Sequence, residues 1–557
     1  MARAGTGQSV AGPQRVGGRS ALAPFRQSVF REVWAANMAS NLGGMGQTVG
    51  ATWLMTSMAP RADMVALVQA ATAAPIMLLA LVAGAMADNF DRRKIMLGAQ
   101  LFMLASAAAL AGMTFAHLVT PAWLLFFTFL IGIGLALNAP AWQASVGDMV
   151  PREDIAEAVA LNSVGLNIAR STGPALGGVI VAAIGAAGTF ALNAISYVGL
   201  VIVLLRWRPV RPSRVLPPER LWTAIGAGLR YSALSPNIRV VLLRGAVFGL
   251  GAGAILALMP LVARNLLLGG PVTYGLLLAA FGIGAIGGAF LIGQVRGRLS
   301  TEASMRLYCC FYAAAALGLG WSRSLPLSAL ALALAGAGWV MALSSFNVSI
   351  QMASPRWVVA RALSLYQMTM FGGMAAGAWF WGETAARVGI PVALSASALP
   401  MLVNALLGLI LPLASAADLD LAPLRDHREP ATALPIAPSS GPVAITIEYR
   451  IAQEDVFAFL AAMADWRRIR RRDGARNWTL SRDLHDPEIW LERYRAATWL
   501  DYLRHNHRIT RADAPAHQAI HSLHRGEAPP RVSRVIERQT GSLPDRLAVH
   551  NADMAGH

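Results

Sequence analysis

Charge is scarce in this 557-residue chain. Asp, Glu, Lys and Arg make up 14% of it, against roughly a quarter in soluble proteins, while 55% is apolar. Cysteine is scarcer still: Cys309 and Cys310 are adjacent and lie in an apolar stretch, which excludes a disulfide framework and a cysteine metal site. Acids are thin in the first 414 residues, which hold 11 of the 30 Asp and Glu. So apolar a chain is neither disordered nor collagen-like. What it has in excess is positive charge, +17 overall, and the position of that charge decides whether nucleic acid or a membrane surface is the partner.

The answer is two solvents in one chain. Residues 415–557 carry 19 of the acids and nine of the ten histidines, and they balance 20 arginines, which disfavours nucleic acid. Before them, charges punctuate apolar runs of membrane-spanning length, about 20 residues each. Residues 33–60, 64–87, 95–118 and 121–147 are uncharged. A fifth run passes through Arg170, and a turn near Gly185–Gly188 leads into a sixth. Six more follow within 245–417. Such segments must be helices, because the bilayer core cannot satisfy a free backbone amide. The expectation is an all-α polytopic protein of twelve transmembrane helices in two six-helix bundles, 29–207 and 238–414.

With the N-terminus in the cytoplasm, sixteen basic residues fall in inner loops and four in outer ones, so both termini are expected in the cytoplasm of a bacterial inner (plasma) membrane. Residues 1–28 lack the apolar core of a signal peptide and read as a disordered tail. Residues 208–237 form a central loop with a short amphipathic stretch, 221–234, suited to the inner membrane face. The halves echo each other: Pro151-Arg152 recurs as Pro355-Arg356, and Ala158, Leu161 and Gly173 recur at the same offset as Ala362, Leu365 and Gly377. Weak duplication around a central loop marks a transporter of two rocking bundles around a small-molecule substrate.

After the second span the chain reads GAMADNFDRRK. Gly84, Asp88, Arg92, Arg93 and Lys94 in this stretch resemble the loop motif between helices two and three of the major facilitator superfamily (MFS). Gly84 permits close packing, Asp88 suits a helix N-terminus, and Arg92 has Asp148 as a pairing candidate. Together they read as a gate lock, beside the plainer reading of a basic inner loop. Arg170, Gly173, Pro174, Gly177 and Gly178 resemble part of that superfamily's helix-five exporter motif, with Ala169 in place of its first glycine. Glycines four apart are also an ordinary packing device. Arg170 lies near mid-membrane, where an unpaired cation costs at least about 2.5 kcal/mol. It should face the cavity or bond carbonyls at the kink. No acid shares its depth, so a proton, the coupling ion the resemblance implies, has only Glu32 and Glu383 as candidate carriers.

If helices one, four, seven and ten line the cavity as in that superfamily, they offer Asn37, Asn41, Gln47, Asn138, Trp142, Gln143, Met259, Asn347 and Gln351. Amides and aromatics with few charges suit a large amphipathic or apolar molecule, though interhelical hydrogen bonding is the commoner role for any one of them. A G-x-G-x-x-G at Gly282, Gly284 and Gly287 sits inside a span, without the strand a dinucleotide site needs, and marks close packing.

The tail begins with a proline-punctuated linker, 415–442. Strand 443–451, helix 453–471, strands 476–484 and 488–496, a helical stretch 499–523 broken near Pro515, and strand 531–537 follow. This βαββαβ order reads as a cytoplasmic α+β ferredoxin-like domain, 443–540, before a disordered 541–557. Phe457, Leu460 and Trp466 are its expected buried helix residues. It looks like the small domains related to antibiotic-biosynthesis monooxygenases, which often dimerise; the likeness is of fold pattern and implies no activity. His517, His521 and His524 share a face, but no acid or cysteine completes a metal site. The Arg467–Arg472 run suits either water or the anionic lipid of the bilayer.

Taken whole, the chain resembles the bacterial siderophore and multidrug exporter branch of that superfamily, in its transmembrane secretion effector subgroup. The resemblance implies a proton-coupled exporter of small organic molecules working by alternating access, with no cofactor and no enzymatic step. An importer of the same fold, or an enzyme or sensor domain anchored by the spans, are the other readings.

Overall fold

The structure, a computed structural model, describes residues 22–59, 61–151, 154–207, 221–355, 357–413 and 436–537, with residues 421, 430, 432 and 433. The tails 1–21 and 538–557, most of the linker, Arg152 and Arg356 lie outside the described residues.

Eleven long helices make the membrane part: α1 (Ser28–Met58), α2 (Ala62–Asn89), α3 (Arg92–Phe115), α4 (Pro121–Met149), α5 (Ile155–Arg206), then α7 (Pro236–Leu261), α8 (Pro271–Arg298), α9 (Thr301–Trp321), α10 (Leu325–Met352), α11 (Val359–Val388) and α12 (Ile390–Ile410). The short α6 (Leu221–Leu234) precedes α7. Among the described residues, eight stretches are long and apolar enough to cross a membrane, one of them the 50-residue run Glu157–Arg206. Helices α1, α9 and α11 are diluted by Arg31, Glu32, Glu302, Arg306, Arg361, Glu383 and several amides. The long α5 keeps helical backbone angles through Pro174. It departs from helical geometry at Gly185 (φ +75°), where a side chain would be strained, and this turns the chain into a second arm.

Helices α1–α5 pack on one another, as do α7–α12, and the two groups meet along two seams, α2 with α11 and α5 with α8. The ends of α2, α4, α8 and α10, with α6, define a basic end of the molecule. Glycines set the approach distances. A methyl at Gly178 would lie 2.7 Å from the Pro271 carbonyl, and one at Gly275 2.6 Å from the Pro174 carbonyl. Gly282 sits as tightly against the Arg170 carbonyl, and Gly284 against the Ala333 backbone of α10, which is the packing role read for that glycine run.

Near the basic end of α7 sits a buried ionic cluster that the sequence reading passed over. Arg244 is 0% exposed. Its five N–H groups find five acceptors: Glu302 Oε2 at 2.6 Å, Glu302 Oε1 at 3.0 Å, Asn404 Oδ1 at 3.0 Å, and the carbonyls of Asn404 and Leu411 at 3.3 Å. Asn404 donates back to the Arg244 carbonyl at 2.9 Å, tying α7, α9 and α12 together.

The tail forms one four-stranded antiparallel sheet in the order β2-β3-β1-β4, with β1 Val443–Arg450, β2 Arg476–Arg482, β3 Ile489–Ala496 and β4 Arg531–Ile536. Helices α13 (Val456–Asp473), α14 (Trp499–Arg508) and α15 (Ala514–Ser522) complete it. Two details differ from expectation. Helix α13 buries Phe459, Met463 and Trp466, whereas Phe457 is 86% exposed and Leu460 is also exposed. The rings of Tyr449 and Trp490 select Phe459, at 5.6 and 5.7 Å, and so rotate the buried stripe away from Phe457. The second helical stretch breaks at Ile509, where Thr510 and Asp513 form a reciprocal cap, and Pro515 instead opens α15.

Two predictions follow from buried charge. Glu302→Gln leaves the buried Arg244 charge without its carboxylate and should cost about 3–5 kcal/mol, Arg244→Met should cost less because Glu302 keeps Arg306 at 3.7 Å, and replacing both by apolar residues should recover much of the loss. Thermal denaturation in detergent compares the three, and equal losses would contradict the pairing. In the tail, burial pushes the Asp473 carboxyl up to about 6 from its ordinary 3.8, against the pull of Arg472 and with Asp513 adding to the rise. A folded value above the unfolded one means the proton favours folding: the contribution is full below about pH 4 and is lost as pH rises through about 6. Hydrogen exchange of α13 in the full-length protein, corrected for intrinsic rates, should therefore show more protection at pH 5 than at pH 7.5. Asp473→Asn should flatten that step.

Candidate functional site

Two assemblies stand out, a clasp at the basic end and a polar cavity within the first helix group. The clasp is built on the α2–α3 turn. Asp91 caps α3, accepting from the Arg93 amide at 3.1 Å; the side chain of Asp88, expected to cap a neighbouring helix, lies outside the described residues. Arg92 reaches across to α4, donating to the Ala144 carbonyl at 2.8 Å and to Asp148 Oδ2 at 3.0 Å. Arg93 donates to the carbonyls of Leu204 and Leu205 at 2.7 and 2.8 Å, closing the C-terminal end of α5. Lys94 is exposed. A methyl on Gly84 would lie 2.9 Å from Ser364 Oγ, so this glycine sits on the α2–α11 seam between the groups.

The helix-five residues divide between two neighbours. Gly173 faces Met45 and Gly177 faces Gly46, both on α1, while Gly178 and the Pro174 carbonyl face α8. Arg170 presents its carbonyl to Gly282 of α8, and its side chain is exposed. Among the described residues it makes no ion pair.

The cavity, about 180 Å³, lies among α1, α2, α3, α4 and the second arm of α5. Asn37, Asn41, Gln47 and Asn138 line it as expected of α1 and α4. The remaining residues proposed from sequence do not join it. Trp142 is buried, its indole N–H donating to Asn162 Oδ1 at 3.2 Å, since a buried indole needs an acceptor. Met259 is wholly buried in the packed second group. Gln143 and Gln351 are exposed, and Asn347 is half-buried. In their place stand Gln100 and Met103 from α3, Thr72, Thr128, Asn193 and Tyr197. The missed signal was a single amide in an otherwise apolar span, Gln100 in α3 and Asn193 in the second arm of α5.

The lining is rich in acceptors and holds no charged side chain. Thr48, Thr72 and Thr128 spend their protons on carbonyls of their own helices, at 2.9, 3.0 and 2.7 Å. Asn193 donates to Gln47 and to Tyr197. Gln100 Oε1 and Asn138 Oδ1 are buried without a partner among the described residues. Groups with hydrogen-bond donors to offer would satisfy them. Near the tail helix α15, His517 and His521 contact each other at 3.1 Å, while His524 bonds the Arg450 amide. No cluster of three metal-ligating acids, histidines or cysteines occurs among the described residues.

The sequence of this two-group chain matches a known family over residues 19–540. The chain belongs to the transmembrane secretion effector family. It is an MFS transporter, a multi-pass membrane protein and not an enzyme. It is 23% identical over 417 residues to the multidrug efflux pump Tap of Mycobacterium tuberculosis, covering 73% of this chain and 98% of the pump. It is 30% identical to the staphyloferrin A transporter of Staphylococcus aureus, but over 29% of this chain and only 42% of that protein. The enterobactin exporter EntS of Salmonella typhi matches at 29% over 39% of this chain and 51% of its own length. Among solved structures, an autoinhibited POT-family peptide transporter aligns with a TM-score of 0.59 at 13% identity, over 73% of this chain and 99% of that one. A bacterial homologue of the lysosomal transporter Spinster, facing inward, aligns at 0.53 and 16% identity, over 71% and 96%. At such identities these two speak for the fold alone.

The clasp generates a prediction. Arg92 and Asp148 are partly exposed, so Asp148→Asn should weaken the α3–α4 contact at this end by about 0.5–1 kcal/mol. With Cys309 and Cys310 replaced by serine, a cysteine at Ser145 should react with maleimide about two to five times faster in that variant. Unchanged labelling would exclude the clasp as a closure.

Proposed function

We propose that this transporter is a secondary exporter of small organic molecules, driven by protons and working by alternating access. Twelve spans in two six-helix bundles, with both termini and the ferredoxin-like tail in the cytoplasm of a bacterial inner membrane, make up the machine. The observation that carries the proposal is the pair of seams. Each helix group is bonded within itself, while the groups face each other largely through glycine and backbone, surfaces that permit rocking without tearing side-chain networks.

The direction of transport rests on relatives described as an efflux pump and an exporter. An uncharged, amide-lined pocket with thioethers at Met45 and Met103 supports a neutral or amphipathic organic cargo. Gating falls to the Arg92–Asp148 clasp, and Arg170, beside the α5–α8 seam, is the residue we assign to cargo or to coupling. Glu32 and Glu383 are the acids assigned to coupling; Glu383 pairs with Arg387 at 2.7 Å, which leaves it the weaker carrier.

Efflux from cells tests this reading. Cells carrying the transporter should accumulate less ethidium, or retain less siderophore, than cells without it, and a protonophore should abolish the difference. Arg170→Ala should reduce efflux at least about tenfold if the guanidinium contacts cargo through a charge-assisted bond. Equal efflux from both proteins would remove Arg170 from the mechanism, and no efflux of any tested compound would leave the exporter reading without support.

A further inference from the structure

The tail domain is seated on the transporter through a run of four side chains. The Arg508 guanidinium lies 4.0 Å over the Trp357 ring, Trp357 meets Tyr231 edge-on at 5.3 Å, and the Arg472 guanidinium lies 5.0 Å from the Tyr231 centroid. Tyr231 belongs to α6, and Trp357 to the connection between α10 and α11. The two arginines belong to the tail.

Both arginines are held in place before they meet the rings. Arg472 donates to both oxygens of Asp473, at 2.9 and 3.1 Å, and of Asp513, at 3.1 and 2.8 Å. Arg508 donates to the Asp473 carbonyl at 2.9 Å, and the turn that follows runs through Gly474 (φ +125°), close to Arg230 of α6. Fixing the cations in advance lowers the entropic cost of stacking them on aromatic faces. Tyr231 is 1% exposed, so its stack is shielded from water.

The seat is at a mechanically informative place. Helix α6 leads into α7 and packs against both α2 and α11, the helices that form one seam between the groups. Gly228 of α6 rests on the Arg361 side chain of α11, and Gly84 of α2 rests on Ser364 one turn further along α11. An element wedged against both sides of a seam moves when the seam opens.

We propose that the tail domain is a clamp: seated on Tyr231 and Trp357, it holds α6 and the α10–α11 connection in register and stabilises the arrangement of the basic end seen here. When the seat is lost, the seam at this end shifts toward its alternative arrangement. The proposal rests on the two-bundle reading above, and its test uses distances in the purified full-length protein, so its failure is separable from a failure to export.

In a background with Cys309 and Cys310 replaced by serine, spin labels at Lys94 and Leu299 report the separation of the two groups at the basic end. A second pair, at Leu299 and Leu484, reports seating of the tail. The variant Tyr231→Leu/Trp357→Leu removes the rings and leaves the arginine–aspartate network of the tail intact; Arg508→Gln approaches the same contact from the tail side. Loss of cation–ring contacts should change the population ratio of the short and long Lys94–Leu299 separations by at least about fivefold and broaden the Leu299–Leu484 distance. If the tail detaches and the seam distances stay as in the parent, the clamp is overturned. If the tail stays seated in both variants, the four-residue seat is overturned.

Discussion

Hydrocarbon offers a polar group nothing to bond to, and most of this architecture is an answer to that constraint. Arg244 is the clearest case, with every N–H satisfied by α9, α12 and the end of α12. The Trp142 indole finds Asn162, the Trp381 indole finds the Leu250 carbonyl at 2.9 Å, and Tyr312 finds the Ala252 carbonyl at 3.0 Å. Gln100 Oε1 and Asn138 Oδ1 are left open, as are the buried hydroxyls of Tyr308 and Tyr366; what sets the first two apart is that both residues line the amide-rich cavity.

Lipid tails are as apolar as leucine, so the helices gain little from merely hiding apolar surface and must gain from contact. Glycine supplies that contact where two backbones meet, as at Gly46 with Gly177 and Gly178 with Gly275. At the α5–α8 seam the glycines bring backbone against backbone, whereas along α2–α11 Gly84 and Gly372 receive the side chains of Ser364 and Met77. Cohesion within each group rests on bonded side-chain networks, whereas few hydrogen bonds join the groups among the described residues. A protein required to hold two shapes in one membrane needs that contrast.

The water-facing tail follows the opposite rule, burying Trp466, Phe459 and Tyr449 around a sheet and tying Arg470 to Glu492 at 3.1 Å inside it. Its reach back to α6 and Trp357 uses arginine on aromatic rings, a contact that holds a cation against an apolar face with little water around it.

Much of this was legible in the residue order. Uncharged runs separated by arginines point to helices and their basic end, because the energetic penalty for a charge in lipid is local and needs no partner to be felt. The Arg92–Asp148 pairing, the amides of α1 and α4 and the turn near Gly185 were legible too, as rare polar residues or glycines in apolar spans. Tertiary structure alone decided which amides share a cavity, that Asp91 caps α3, and that Phe459 and not Phe457 is buried. Each of those choices depends on the rotation of one helix about its axis relative to a neighbour distant in sequence, and a period read along a single strand of residues does not contain the neighbour.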